Sequence, residues 1–367
     1  MLVESVSVLG VRNLAESRIA LGPGINLIWG PNGAGKTNLL EATYMALAGR
    51  SCRTRDDRET IAFGAPLARA EAVVSGAQRP RTFLFSVSRS EGRRQLLDGA
   101  EATPESARRR PALSVFMPDR LALVKGPPTA RRTHLDGFCV ALWPGRAEQR
   151  RRYSRALAQR NALLGRIRAG IGAAASLDAW DAELSGAAVE LIATRREASA
   201  RLESPFAEAA AALGLEGRAT LSYRPRSQAA DPAELAAELA ERRDGDLARG
   251  YTGWGPHLDE LALELGGRAL RRYGSQGQQR VALLALLFAE RQALLDDGRP
   301  APLMLLDDVA SELDAERRAL LVERLGAGGQ ALITATEPDQ LPVVGERREI
   351  AVRAGRPLAA GGEAAAA

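Results

Sequence analysis

Lysine is nearly absent from this chain. Only Lys36 and Lys125 stand among its 50 basic residues, so arginine carries almost all of the positive charge. The bias, with abundant alanine, reads as genomic base composition, and it makes the two lysines informative. Cysteine is equally scarce: Cys52 and Cys139 have no metal-ligand neighbours, which excludes a disulfide framework and a cysteine zinc site. A reducing cytoplasm is the simplest setting. Aromatic residues are only 4% of the chain, so no stacking platform for single-stranded nucleic acid is evident. No apolar run approaches the ~18 residues needed to cross a bilayer. The start, Met1 to Asn13, lacks a basic segment followed by an apolar one, so neither a membrane span nor a signal peptide is expected. No repeat of 20–50 residues and no sustained heptad pattern occurs, which argues against a solenoid and a coiled-coil rod.

What remains is a globular composition, 46% hydrophobic and 26% charged. The 367 residues suggest two or three units at roughly 100–200 residues each. Strands are expected at Leu2–Val8, at Ile25–Trp29 and around Phe83, Phe85 and Val87. A helix is expected over Thr37–Ala48, with Leu39, Leu40, Thr43 and Leu47 on one side. From about Ala130 to Leu213 the pattern is helical. Leu177, Trp180, Leu184, Ala187, Ala188, Leu191 and Ile192 recur at helical spacing there. Asp231–Pro232 reads as an N-cap followed by proline at the first helical position. Leu261, Leu263 and Leu265 mark a strand. Thereafter a helix at Gln276–Leu295, a strand at Leu303–Leu306, a helix at Asp314–Leu325 and a strand at Gln330–Thr334 alternate. The residues after Arg353 are mostly alanine and glycine, the composition of a disordered tail.

Gly30-Pro31-Asn32-Gly33-Ala34-Gly35-Lys36-Thr37 fits G-x-x-x-x-G-K-[ST] between an apolar strand and a helix. Glycines there let backbone N–H groups wrap phosphates at a helix N-terminus. Lys36 would reach the β- and γ-phosphates of ATP and Thr37 would ligate Mg²⁺, with Asn38 beside it. Retaining lysine in an arginine-rich chain suits a site that needs a compact point charge. Far downstream, Leu303–Leu306 ends in Asp307 and Asp308. Asp307 is assigned to the metal and Asp308 to activation of water. Two solvated acids in a turn are the alternative. Ser275-Gln276-Gly277-Gln278 opens the helix before that strand. A capping box accounts for Ser275 and Gln278. It leaves Gly277 unexplained, and a phosphate contact by this loop accounts for it.

These motifs, in this order, resemble the head of ABC-type ATPases, with Ser275–Gln278 in the place of the signature loop and Ser311-Glu312-Leu313-Asp314 like the D-loop. Where transporters carry a switch histidine, this chain has Ile333-Thr334-Ala335-Thr336. Finer features are similar to the RecF family of bacterial DNA repair proteins: Ser275 to Arg280, Leu305 to Val309, Val124-Lys125-Gly126-Pro127 with Arg131-Arg132 and Leu135-Asp136, and Gly49-Arg50-Ser51 with Arg53-Thr54. Leu258-Asp259-Glu260 after Gly-Pro-His and Val11-Arg12-Asn13 near the start depart from that pattern. The resemblance covers the chain to about Asp339. It implies an α/β, ABC-type P-loop ATPase head with an inserted helical arm. By that resemblance the protein is cytoplasmic, and the signature loop contacts the ATP held by a partner subunit. It further implies an ATP-gated homodimeric clamp on duplex or gapped DNA, acting with RecR and RecO in recombinase loading and SOS induction. An ABC-type ATPase energising transport or chromosome organisation is the alternative. The expected division is 1–120 for the first ATPase lobe, 121–225 for the arm, 226–353 for the rest of the head and 354–367 for the tail.

Between Arg146 and Arg168 eight arginines face one acid, Glu148. This concentration suggests phosphate contacts, with Arg150, Arg151, Arg152 and Arg155 as the DNA-binding candidates. A solvated helix face is the alternative. Arg160 falls on the apolar side of that helix, where a buried ion pair is expected. Arg50, Arg53, Arg55 and Arg58 would meet a partner or DNA, or line a solvated loop. His257 is a structural histidine or a γ-phosphate sensor.

Overall fold

Continuous apolar runs that end abruptly at glycine or aspartate form the central strands of a mostly parallel sheet. The computed structural model describes residues 2–76, 79–103 and 110–359. Strand β3 (Ile25–Trp29) lies between β14 (Arg347–Arg353) and β13 (Ala331–Ala335), and β13 pairs in turn with β12 (Leu303–Leu306). The order is β15-β14-β3-β13-β12-β8, with β8 at Leu113–Phe116 and β15 at Arg356–Ala359. All pairings are parallel except β14 with β15. Every residue of β12 and β13 is buried, as strands covered on both faces must be.

A second, antiparallel sheet in the same unit takes the order β2-β1-β4-β5-β6-β7. Its members are β1 (Leu2–Leu9), β2 (Ser17–Ala20), β4 (Leu67–Ser75), β5 (Arg81–Ser88), β6 (Gly92–Leu97) and β7 (Ala100–Glu101). Gln330, buried just before β13, stitches the two sheets. Its amide nitrogen donates to the carbonyls of Val3 and Gly22, and its oxygen accepts from the N–H of Val3. Helix α1 (Lys36–Ala48) packs on β4 and β5 and on β13. The expected one-sided stripe is too narrow a description. Leu39 through Leu47 are all buried, including Glu41 and Thr43, because α1 has sheet on more than one side.

The chain divides into two compact units. One comprises Met1–Leu121, Ala212–Gly214 and Leu294–Ala367, the other Ala122–Ala211 and Leu215–Ala293. The second unit contains the helices Pro128–Leu142, Ala147–Arg168, Pro232–Glu241 and most of Leu177–Ala212 and Gln276–Asp296. It also holds a small antiparallel sheet, β11-β10-β9, formed by Arg268–Ala269, Glu260–Leu265 and Ala219–Arg224. The division differs from the expected one: residues 226–293, with the signature-like loop, cluster with the helical arm and not with the P-loop unit. The tail also needs correction. Arg356–Ala359 is a strand hydrogen-bonded to β14, since an Ala-Gly pair after an alternating run makes a hairpin turn as readily as a disordered end. Residues 360–367 lie outside the described residues. Among the described residues no helix is long and apolar enough to cross a membrane.

Candidate nucleotide site

The phosphate loop is delivered by β3 and closed by α1, as the spacing of its glycines requires. Gly30 has φ 152°, and a Cβ there would stand 2.1 Å from the carbonyl oxygen of Val352. Only glycine fits between β3 and β14 at that point. Lys36 is buried, and its Nζ donates to the carbonyls of Gly30 (2.7 Å) and Pro31 (3.1 Å). Burial lowers its pKa, while the charges of Asp308 and Asp307 oppose that shift. The ammonium therefore sits on the loop's own carbonyls, close to where phosphate charge would be most stabilised.

Thr37 and Asp307, 270 residues apart, meet as the metal assignment requires. The Thr37 hydroxyl lies 2.8 and 3.0 Å from the two carboxylate oxygens of Asp307. The Thr334 hydroxyl donates to Oδ1 of Asp307 (2.8 Å) and accepts from the backbone N–H of Asp308 (2.8 Å). Burial pushes the Asp307 pKa up, against the pull of the Thr334 and Thr37 hydrogen bonds, and the neighbouring Asp308 pushes it further up. A hydroxyl beside a carboxylate is the hard-oxygen donor set that suits Mg²⁺, whose other ligands are usually phosphate oxygens and water. Among the described residues no group of three or more His, Cys, Asp or Glu assembles into a protein-only cage.

Asp308 stands out by its backbone and its side chain. Its backbone is left-handed (φ 51°, ψ 29°), a strained conformation for a non-glycine residue, and its Oδ1 is buried without a hydrogen-bond partner. A buried carboxylate oxygen left open is costly unless a further group completes it.

Behind α1, Asn38 and Arg53, named in the sequence for other roles, join Asn13 and Glu41 in one hydrogen-bonded layer. Asn13 donates from Nδ2 to the carbonyl of Gly33 (3.0 Å) and accepts from Nδ2 of Asn38 (2.8 Å). Asn38 accepts in turn from Arg53. Glu41, fully buried in α1, accepts from Arg12, Ser51 and Arg53. Burial opposes the ionisation of Glu41, but the hydrogen bonds from Arg12 and Ser51 prevail and leave its carboxyl below the ordinary range. The sequence named Thr334 only within the stretch at the switch position and Asn13 only within Val11-Arg12-Asn13, and gave neither a role at the site.

In the second unit, Ser275 and Gln278 form a reciprocal capping box at the start of the helix Gln276–Asp296. Gln278 Oε1 accepts from the N–H of Ser275 (2.9 Å), and Ser275 Oγ accepts from the N–H of Gln278 (3.2 Å). Ser275 and Gln276 are exposed and Gly277 is half-buried. His257 is structural. Its Nε2 lies 3.0 Å from the Thr252 carbonyl, which can only accept, so Nε2 carries the hydrogen and Nδ1 accepts from the Tyr153 hydroxyl at 2.6 Å. Burial holds its pKa low, so the ring stays neutral.

The arm arginines are less free than their charge count suggests. Arg150 reaches Asp136, Arg151 and Arg155 share Glu148, and Arg152 bridges Glu183 and Glu190. Arg151 and Arg155 remain the most exposed of the four, at 69% and 72%. Arg160 is fully buried and bonded to Asp181 (2.6 Å), Asp246 (2.7 Å) and Thr252 (2.8 Å). The expected buried ion pair is present.

Comparison with known proteins places this arrangement. The family model described as the RecF/RecN/SMC N terminal domain matches residues 2–354. The DNA replication and repair protein RecF of Deinococcus radiodurans is 37% identical over 341 residues, covering 91% of this chain and 90% of the relative. The chain belongs to the RecF family. A RecF protein of Anaeromyxobacter sp. is 40% identical over 355 residues, with 91% of this chain and 92% of that protein covered. Among solved structures, the recombination mediator protein RecF with ATP, of the RecFOR pathway, superposes with TM-score 0.86 over 98% of both chains at 24% identity. An Smc head bound to the C-winged helix domain of ScpA gives 0.59 at 16% identity over 98% of both chains. RecF members and Smc heads thus share this fold.

Proposed function

We propose that the chain is an ATP-dependent DNA-binding protein of recombinational repair and replication-fork maintenance, with nucleotide acting as a switch between monomer and dimer. The observation that carries this reading is the convergence of Thr37, Asp307 and Thr334 below the phosphate loop, beside the strained Asp308 with its open oxygen. The loop amides and Lys36 bind the phosphates. Lys36 exchanges its contacts with the Gly30 and Pro31 carbonyls for phosphate oxygens. Thr37 and Asp307 would hold Mg²⁺, which neutralises phosphate charge when bound. Asp308 orients and deprotonates the attacking water. Ser275 to Gln278 present an exposed helix start to the nucleotide on a second copy, and ATP closes the dimer on duplex or gapped DNA. RecR and RecO are the proposed protein partners, and recombinase loading and SOS induction the proposed outcomes. DNA binding on single-stranded, duplex and gapped substrates, with and without ATP and Mg²⁺, tests the reading. Binding should tighten with ATP in wild type and not in Lys36→Met. DNA binding that is indifferent to ATP in both proteins refutes it.

A further inference from the structure

The C-terminal hairpin closes directly on the phosphate loop, and its contacts there are backbone to backbone. We infer that its turn, at Gly355, is a positioning element of the nucleotide site, so that nucleotide affinity depends on the hairpin being docked. The inference rests on reading that loop as the nucleotide site.

Strand β14 runs parallel to β3, with Ile350 opposite Ile28 and Ala351 opposite Trp29, and so reaches the point where β3 gives way to the loop. The chain then turns through Ala354 and Gly355 in left-handed conformations, φ 47° and 78°. The N–H of Gly355 donates to the Ala34 carbonyl (2.8 Å), and its own carbonyl accepts from the N–H of Ala15 (2.9 Å). A Cβ on Gly355 would stand 2.0 Å from the carbonyl oxygen of Asn13. Backbone cannot swing aside as the end of a side chain can, so this approach admits only glycine. Asn13 is itself bonded to Gly33, so displacing it moves the tip of the loop.

The Ala34 carbonyl and the Gly35 N–H belong to one planar trans peptide and point in opposite directions. Bonding that carbonyl to Gly355 therefore aims the Gly35 N–H away from the hairpin, at the start of α1, where an anion would bind. Preorganised amides cost no reorientation when phosphate arrives. The segment that composition alone assigned to a disordered tail thus acts through Ala34 and Asn13 on the P-loop.

The test is titration with a fluorescent ATP analogue and Mg²⁺, alongside thermal unfolding, on four proteins. Wild type should bind and Lys36→Met should not. Gly355→Ala should bind at least tenfold more weakly. Gly345→Ala supplies the control: Gly345 has φ 72° but open space around its Cβ position, so the variant carries a similar backbone penalty without touching the loop. It should keep wild-type affinity even where its unfolding temperature falls. If wild type fails to bind, the nucleotide reading itself is wrong. If wild type binds and Gly355→Ala binds equally well, the positioning role is overturned. Should Gly355→Ala not fold, hydrogen exchange on wild type decides. By reciprocity of coupling, if nucleotide binds the docked hairpin more tightly than the undocked one, saturating nucleotide must slow exchange of the Gly355 amide. An unchanged rate overturns the inference.

Discussion

Replacing Asp307 by asparagine should make the nucleotide-free protein more stable while removing its response to Mg²⁺ and ATP. Asp307 is 6% exposed, and its carboxylate is met by two neutral hydroxyls, not by a bonded cation. Burial and the adjacent Asp308 hold its pKa above the ordinary value, so its ionised form stores unfavourable free energy at neutral pH. Asparagine keeps an acceptor for Thr334, and the Thr37 hydroxyl can turn to accept from the new amide. Relief of such a functional-site strain is typically worth about 0.5–2 kcal/mol. At roughly 2–4 °C per kcal/mol for a unit of this size, the unfolding transition should rise by a few degrees. The order should invert with ligand. At a hundredfold excess over Kd, Mg²⁺ and ATP stabilise wild type by about 2.7 kcal/mol, whereas the variant should gain little. The pH dependence follows from the sign. A carboxyl whose folded pKa is raised costs stability above that pKa, and the cost disappears as pH falls and the group takes up its proton. The gap between variant and wild type should therefore narrow on acidification. Differential scanning calorimetry with and without Mg²⁺ and ATP reads all of this. A lower transition for nucleotide-free Asp307→Asn would refute the reasoning.

Three further outcomes follow from the same contacts. Ser275→Arg adds bulk and charge to an exposed helix start, so it should bind ATP normally yet fail to dimerise, as sedimentation velocity would report. Arg151→Gln with Arg155→Gln removes the two most exposed arm candidates while leaving only Glu148 to readjust. If both contact phosphates, the log–log salt slope of DNA binding should flatten by about 0.9 per arginine, and an unchanged slope would place DNA elsewhere. Arg160→Met strands Asp181 and Asp246 in the interior, although Arg243 and Arg249 retain one contact with each. It should destabilise the second unit by about 3–5 kcal/mol in urea unfolding, and a midpoint close to wild type would show the buried pair to be dispensable.

The motifs with local chemistry were legible in the sequence because their physics is local. The strands Ile25–Trp29 and Leu303–Leu306 have the predicted bounds, since each is a buried apolar run cut off by a glycine or an aspartate. Asp231 caps its helix as expected, accepting from the N–H groups of Ala233 and Glu234. Strand Leu67–Ser75 escaped notice because its inward positions include Ala68, Ala70 and Ala72. These are fully buried and alternate with Arg69 and Glu71, but alanine is a weak strand former, and in an alanine-rich chain it does not stand out as the inward face of a strand. The ion pairs of the arm arginines were hidden for a different reason. Summing charge along one helix cannot see Asp136, Glu183 and Glu190, which come from other helices. Thr334 and Gly355 make their contacts with Asp307, Ala34 and Ala15, residues far away in the chain, and no one-dimensional pattern carries those pairings.

Asp308 bears the central claim, that hydrolysis at this site times the opening of a nucleotide-closed dimer. Asp308→Asn keeps the size and removes the charge, so ATP should still bind and close the dimer while hydrolysis falls by about 10²-fold or more if the carboxylate acts as general base. The decisive measurement is the rate at which DNA leaves the protein in the presence of ATP and Mg²⁺. The account predicts that Asp308→Asn releases DNA far more slowly than wild type. Release at the wild-type rate by a variant that no longer hydrolyses ATP would contradict it.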